Sequence, residues 1–306
     1  MLDVKRLALL RELELRGSID ATARVLGISP SAVSQQLTKL ESEVGVVLLE
    51  QVGRNIRLTP AAEQLVLRVE EVVAVLERAE TELESRRSRI QGVVRFAGFS
   101  TFARRYLPEV LRLMEQTHPD VVVEFMQLEP ETALDMVASK RVDIAVIDEY
   151  SHSPRRADPG IVRTHLMRDQ IDVYTPHPVP SLQALAGLHW AFEPAGSDSA
   201  QWATRICREF GFEPAVLFES PDPQVHQELV LAGVAAAFLP QMLLESPRVP
   251  SLPMSHWTSL PQGVEDEMYR DVYAVCRRGA QLRPEFAGFL KLLGEVTAKQ
   301  PTHLSP

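Results

Sequence analysis

The chain has 306 residues, of which 45% are hydrophobic and 24% charged, a composition that excludes a disordered, collagen-like or disulfide-stapled protein and leaves room for two or three domains. Its formal charge of −9 excludes a surface that grips nucleic acid everywhere. The charge is uneven, however: residues 1–60 carry 8 Lys and Arg against 7 Asp and Glu, residues 61–90 carry 5 against 7, and residues 91–306 carry 19 against 27, an asymmetry compatible with a nucleic-acid-contacting head on an acidic body.

In chain order, the first sharp signal is a helix over Ala21–Leu26, with Asp20 as N-cap, Ile19 in the staple position before it and Gly27 supplying the left-handed residue at its end. Ser29 and Pro30 then make the N-cap and first position of a second helix. Two helices separated by Gly27, Ile28 and Ser29 form a helix-turn-helix, with Ala23 small enough for the crossing and Val33 facing the first helix. On the second helix Val33, Leu37, Leu40 and Val44 make one buried stripe, so Ser31, Gln35, Thr38 and Ser42 point away, with Ser34 and Lys39 on the flanks. A face of short hydroxyls and glutamine suits base edges, because Gln can bind adenine bidentately and Ser and Thr can bind bases or phosphates. The candidate double-stranded DNA contacts are therefore Ser29, Ser31, Ala32, Ser34, Gln35, Thr38 and Lys39. The hairpin-like stretch Leu48–Leu58 adds Arg54 and Arg57 as a wing along phosphates.

Residues 59–90 read as one long helix that begins just after the start signal Thr59–Pro60. Leu58, Ala62, Leu65, Val69, Val72, Leu76, Ala79 and Leu83 alternate at spacings of 4 and 3, the seam of a coiled coil. A helix with that stripe must cover it, either on its own chain or on a second copy, and a homo-oligomer is the expectation because paired heads read paired half-sites.

From residue 92 onward strand-like and helix-like segments alternate, which implies parallel sheets. The expected elements are strand Val93–Phe99, helix Phe102–Thr117 interrupted by Pro108, strand Val121–Gln127, helix Glu131–Ser139 and strand Val142–Asp148. A second run starts near Ile171–Thr175 and holds helix Ser199–Phe210, strand Ala215–Phe218, helix Gln224–Leu231 and strand Ala235–Leu239; strand Val272–Cys276 and helix Glu285–Val296 close the chain. Ligands of such sheets bind beyond the carboxyl ends of strands, where helix N-termini offer free N–H groups. That rule selects Ser100, Thr101 and Phe102 after the first strand, Glu129 after the second, Asp148 after the third, and the loop Gly196, Ser197, Asp198 and Ser199. Helix capping accounts for several of these residues equally well. Trp202 either floors this cleft or fills the core, and Asp143 reads as a sheet-edge carboxylate.

The segment from Ala21 through Ala23, Leu26, Gly27, Ser29, Ala32, Val33, Ser34, Gln35, Gln36, Leu40, Glu41 and Gly45 to Leu58, Thr59 and Pro60 resembles the DNA-binding signature of LysR-type transcriptional regulators. Two departures stand out: Leu49 and Gln51 occupy the places of Phe and Arg in that family's Leu-Phe-x-Arg stretch, and Ala62 that of a Gly. The resemblance extends over the whole chain. It implies an N-terminal winged helix-turn-helix (1–58), a linker helix for dimerisation (59–90) and a C-terminal α/β sensor like the type 2 periplasmic binding proteins (91–306). The sensor's two lobes, about 91–167 with 268–300 and about 168–267, would be joined by two crossings around a cleft. It further implies that Ser100, Thr101 and the 196–199 loop line an effector site for a small polar molecule. Glu129, Glu131, Asp148 and Asp198 near that cleft favour an amine-bearing ligand such as a basic amino acid. The expected partners are DNA, the effector, the chain itself as homodimer or homotetramer, and RNA polymerase.

No enzyme chemistry is expected. The eight histidines are scattered without a His-Glu-x-x-His pattern, and no phosphate-binding glycine loop or nucleophile elbow occurs, so neither a metal nor another cofactor is expected. Cys207 and Cys276 lack paired spacing and read as buried or incidental thiols. The longest uncharged apolar run, Leu229–Leu239, has 11 residues, well short of the roughly 20 needed to span a bilayer. Met1–Arg16 interleaves charges with leucines, unlike a secretory signal, so a cytoplasmic protein without membrane contact is expected. The alternative to an effector-controlled regulator is an architectural DNA-binding protein whose back half serves only assembly.

Overall fold

The computed structural model describes residues 2–52, 55–84, 90–244 and 268–299. They fall into two compact units, dividing near residue 88, with Arg278–Pro284 counted with the first.

The N-terminal unit opens with α1 (Val4–Arg16), capped by Asp3, whose carboxylate accepts from the Lys5 N–H. Next come α2 (Ile19–Leu26) and α3 (Pro30–Val44), the two arms of the expected helix-turn-helix. α2 starts two residues earlier than its sequence suggested: Ser18, not Asp20, is the N-cap, its hydroxyl accepting from Ala21 N–H at 3.2 Å. Ser18 wins because Gly17 ends α1 in the left-handed region and hands the chain to Ser18 in an extended conformation. Strands β1 (Leu49–Val52) and β2 (Asn55–Leu58) pair antiparallel as the wing, and α4 (Pro60–Glu84) follows. One core holds the head together: Leu7, Leu10 and Leu13 of α1, Ala23 of α2, and Val33, Leu37 and Leu40 of α3 are all buried. The first half of the expected coiled-coil seam is spent on this same core, since Leu58, Ala62 and Val69 are buried in it together with Val66. Val72 and Leu76, further along, are 42% and 45% exposed. The side chains of Ala79 and Leu83 lie outside the description.

The C-terminal unit is built on a six-stranded sheet in the order β4-β3-β5-β10-β6-β9. Its first lobe contains β3 (Gly92–Gly98), α5 (Ser100–Thr117), β4 (Val121–Gln127), α6 (Pro130–Ala138) and β5 (Ile144–Tyr150). The long β6 (Ile161–Tyr174) leads into a second lobe containing α7 (Leu182–Leu185), β7 (His189–Phe192), α8 (Asp198–Glu209), β8 (Ala215–Glu219), α9 (Pro223–Leu231), β9 (Ala237–Pro240) and α10 (Gln241–Leu244). The chain then returns through β10 (Tyr269–Arg277) and α11 (Pro284–Ala298).

Three expectations need correction. The sheet is mixed, not parallel: β3, β4 and β5 run parallel, as do β7 and β8, but β10 is antiparallel to both neighbours and β9 to β6. The reversal arises because β6 and β10 are the two crossings between lobes and run in opposite directions. Pro108 does not interrupt α5; it lies on the exposed face of the helix, away from the core. Asp143 is not at a sheet edge but leads into β5, a central strand, where its buried carboxylate accepts the Arg95 N–H at 3.0 Å.

Each lobe has its own core. In the first, Ala97, Ala145 and Ile147 of the sheet meet Ala133 and Val137 of α6. In the second, Trp190, Trp202, Ile206 and Phe210 pack with Ile171 and Val173. Both Cys207 and Cys276 are buried. Among the described residues no helix is long and apolar enough to cross a membrane.

Candidate nucleic-acid interface and interlobe cleft

The head exposes what the helical periodicity of α3 selects. With Val33, Leu37 and Leu40 buried, Ser31, Gln35, Thr38 and Lys39 are exposed and Ala32 and Ser34 half-buried. Ser29 caps the helix, its hydroxyl accepting from the Ala32 N–H at 3.2 Å and lying 2.9 Å from the Ser31 hydroxyl. Gly27 makes the turn possible: at φ +66° it closes α2 with its own N–H and that of Ile28 both donating to the Ala23 carbonyl. Gln36 accepts from Arg6 Nε at 3.1 Å, so it braces α3 against α1; it and its neighbour Gln35 are both exposed.

The wing is anchored from α3. Glu41 Oε1 accepts the N–H of Leu48 at 2.8 Å and of Leu49 at 3.1 Å, which fixes the start of β1. At the far end the Thr59 hydroxyl donates to the Val47 carbonyl and accepts from the Ala62 N–H, tying the wing's exit to the first turn of α4. Arg57 is exposed on β2. Arg54 lies outside the described residues.

In the C-terminal unit a cavity of about 190 Å³ opens between the lobes. It is lined by Ser100, Thr101, Glu129, Asp148, Ser197, Asp198 and Ser199, all of which the strand-end rule nominates, and also by Phe99, Tyr150, Arg155, Glu193 and Arg270. Two nominated residues do not line it. Phe102, in the first turn of α5, is fully buried, its ring against Phe99 and Tyr106, because position 102 falls on the core face of that helix. Gly196 turns the chain at φ +98° and offers its carbonyl to Gln201 Nε2. Trp202 belongs to the second lobe's core, 2% exposed, and its indole N–H donates to the Ser151 hydroxyl at 3.0 Å.

Arg270 organises the floor. It is buried and donates to Asp169 Oδ2 at 2.8 and 2.9 Å, to Asp148 Oδ2 at 2.9 Å and to the Thr101 hydroxyl at 2.9 Å. Its guanidinium also sits 4.8 Å from the centre of the Phe99 ring. Burial opposes its charge, but Asp169, Tyr150 and Asp148 more than offset this and hold the proton firmly. Arg155 donates to the Asp148 carbonyl at 2.9 Å and lies 2.5 Å from Asp198 Oδ2 on the opposite lobe. Burial, with Asp148 next, raises the carboxyl of Glu129; burial, with Asp148 and Glu129 next, pushes that of Glu193 up to about 8.

The helix ends facing this space differ. α8 is closed by Ser197 and α9 by Asp222, whose side chains accept from their own first turns. α5 and α6 have no side-chain cap, so their first-turn N–H groups, beginning with Ser100 in α5 and with Glu131 in α6 because Pro130 has none, are not taken by a capping side chain.

Residues 4–63 match the model of the bacterial regulatory helix-turn-helix protein, lysR family, and residues 87–298 match that of the LysR substrate binding domain. The chain belongs to the LysR family. Relatives include a transcriptional dual regulator, GltC, of Bacillus subtilis, 24% identical over 78% of this chain and 81% of that protein. The regulator CbbR of Rhodospirillum rubrum is 25% identical over 87% of each. Among solved structures, an OxyR mutant from Corynebacterium glutamicum superposes with a TM-score of 0.55 at 20% identity, covering 98% of this chain and 92% of that one. Full-length CbnR complexed with its target DNA gives 0.51 at 18% identity, covering 96% and 99%. This LysR-type chain is therefore a transcriptional regulator rather than an enzyme, with a DNA-binding head and an effector-binding domain. The matches lend no support to a purely architectural protein.

Proposed function

We propose that this LysR-type regulator reads duplex DNA with the exposed face of α3 and adjusts that binding when a small polar molecule, an amino acid by size and polarity, occupies the interlobe cavity. The observation that carries this reading is the cavity itself, formed where uncapped helix ends of one lobe face hydroxyls and carboxylates of the other. A space of about 190 Å³ is slightly larger than cavities that accept benzene, so it suits a ligand of roughly ten non-hydrogen atoms. Ser100 and Thr101 on the first turn of α5 would meet its acidic end, with Ser197, Asp198 and Ser199 closing from the other side, alongside Glu129 and Asp148.

In the head, Ser31, Ser34, Gln35, Thr38 and Lys39 would enter or rim the major groove, Ser29 and Ala32 would approach the backbone at the start of α3, and Arg54 and Arg57 would lie along phosphates. The exposed Val72 and Leu76 of α4 favour a second copy as the cover of the distal seam, giving a homodimer or a pair of dimers. RNA polymerase is the partner through which such a DNA-bound assembly would act.

A ligand shifts this system only through unequal affinity for its two arrangements. The test is a gel-shift series on fragments from the source genome, across a salt titration, with and without a metabolite panel. Salt-sensitive binding to at least one fragment, altered by a metabolite, is expected. No salt-sensitive affinity for any fragment under either condition would end the reading.

A further inference from the structure

The ionisable groups of the cleft are not balanced. Both of its arginines are already committed inside the protein: Arg270 to Asp148 and Asp169, Arg155 to Asp198 and the Asp148 carbonyl. Glu193, just beyond the carboxyl end of β7, and Glu129, just before α6, line the cavity from opposite lobes with no Lys or Arg in ion-pair contact among the described residues. A second observation points to a ligand. The Ser100 side chain, only 4% exposed, lines the same cavity, and among the described residues its hydroxyl has no hydrogen-bond partner. Buried hydroxyls in folded proteins are nearly always satisfied by protein, water or ligand.

Resting on the cleft as the effector site, we propose that Glu193, with Glu129 across the gap, is the specificity-determining pair that receives a protonated amine of the effector. A cation there sits between carboxylates of both lobes and draws them together, while the ligand's other polar end meets Ser100 and the uncapped first turn of α5. Two carboxylates lining one cavity with no cation in ion-pair contact cannot both hold charge cheaply. The raised proton affinity of Glu193 is consistent with this, as burial, Asp148 and Glu129 all press on it while Arg270 and the Ser199 hydroxyl relieve it only in part. Around the pair lie Asp148 and Tyr150 of β5, Glu131 of α6, Asp198 of α8 and Asp222 of α9, together with the two arginines. An arriving ammonium group therefore expels a proton from Glu193 near neutral pH.

Calorimetry on the full chain near pH 7, in buffers of different ionisation enthalpy, tests this with matched probes: small L-α-amino acids against their 2-hydroxy acids, and n-butylamine against butyrate. An amine-bearing probe is expected to bind at least about tenfold more tightly than its amine-free match, as is usual when a charge-assisted contact is lost. Glu193→Gln is expected to weaken it by a similar factor and abolish proton release, Glu193→Asp to recover part of both, and a melting curve to show that each variant is folded. Amine-free probes binding as well as their partners, equal binding by Glu193→Gln, or no binding by any amine probe would each overturn the proposal. Ser199→Phe, which fills the cavity, separates the underlying reading. If binding survives there, the ligand sits elsewhere; if an amine-free acid binds and is lost there, the cleft stands and only the amine falls.

Discussion

Arg104, on α5 of the first lobe, donates to Asp222 at the N-cap of α9 in the second lobe, Nη2 to Oδ2 at 3.0 Å, and also reaches Gln224. The contact bridges the two lobes, and its partners are substantially exposed, at 49% and 36%. An exposed pair of this kind contributes about 0.2–1 kcal/mol. Arg104→Ala is accordingly expected to leave the melting temperature nearly unchanged while loosening any cleft ligand by up to about fivefold, read by calorimetry. The arginine is the side to change, because Asp222 also caps α9 and its loss would confound lobe contact with helix stability.

Arg270 presents the opposite case. Removing it would leave Asp148 and Asp169 buried without their shared cation. Arg270→Met is expected to cost about 3–5 kcal/mol in urea unfolding of the C-terminal unit. A loss under about 1 kcal/mol would mean that the floor of the cleft is wetter than its burial indicates.

Within the head, Gln35→Ala and Arg57→Ala should behave differently. The first is expected to flatten discrimination at one base pair by about 1–3 kcal/mol. The second is expected to weaken all sequences alike and to reduce the slope of log affinity against log salt by about 0.9. Identical behaviour of the two variants would contradict the placement of α3 in the groove.

Glu41→Ala tests whether the wing depends on α3. It removes the acceptor of two backbone N–H groups at the start of β1. A loss of about 1–3 kcal/mol in head stability is expected, with uniform weakening on every DNA fragment and unchanged base preference.

The carboxyls of Glu129 and Glu193 make stability depend on pH. Both hold their protons more tightly in the folded chain than in the unfolded one, Glu193 up to about 8. The folded state thus binds more protons across the interval from the ordinary carboxylate range to about 8, and stability falls as pH rises through it. The slope from one such group is at most ~1.4 kcal/mol per pH unit. Melting temperatures of the ligand-free protein are expected to decline over that interval, less steeply in Glu193→Gln.

How much of this was legible in the sequence follows the range of the interactions involved. The helix-turn-helix announces itself because its signals are local: Gly27 in the left-handed region, Ser29 as cap and Pro30 after it act within a few residues. Even so, the sequence reading places the cap at Asp20 and not at Ser18, since nothing in residues 18–21 shows that Gly17 has already closed α1. The strand-end rule located Ser100, Thr101, Glu129, Asp148 and the 197–199 loop. Applied to β7 it would also have nominated Glu193, but a four-residue strand of His-Trp-Ala-Phe beside a proline-rich stretch gives too little alternation to be seen. Arg270 had no local signal at all, standing 122 residues from Asp148 and 169 from Thr101. The seam of α4 shows periodicity, which records that a stripe is covered without saying by what, and half of it is covered by the head.

The crossing between the lobes is a narrow ribbon. Gln170 pairs with Tyr269, and the next residue, Ile171, donates its N–H to the Met268 carbonyl at 2.8 Å, so both passages lie side by side and are bonded to each other. A joint of this kind resists sliding and yields mainly to twist, like a flat spring. Any movement between the lobes is then expected as rotation about this bonded pair of strands rather than as sliding of one passage past the other.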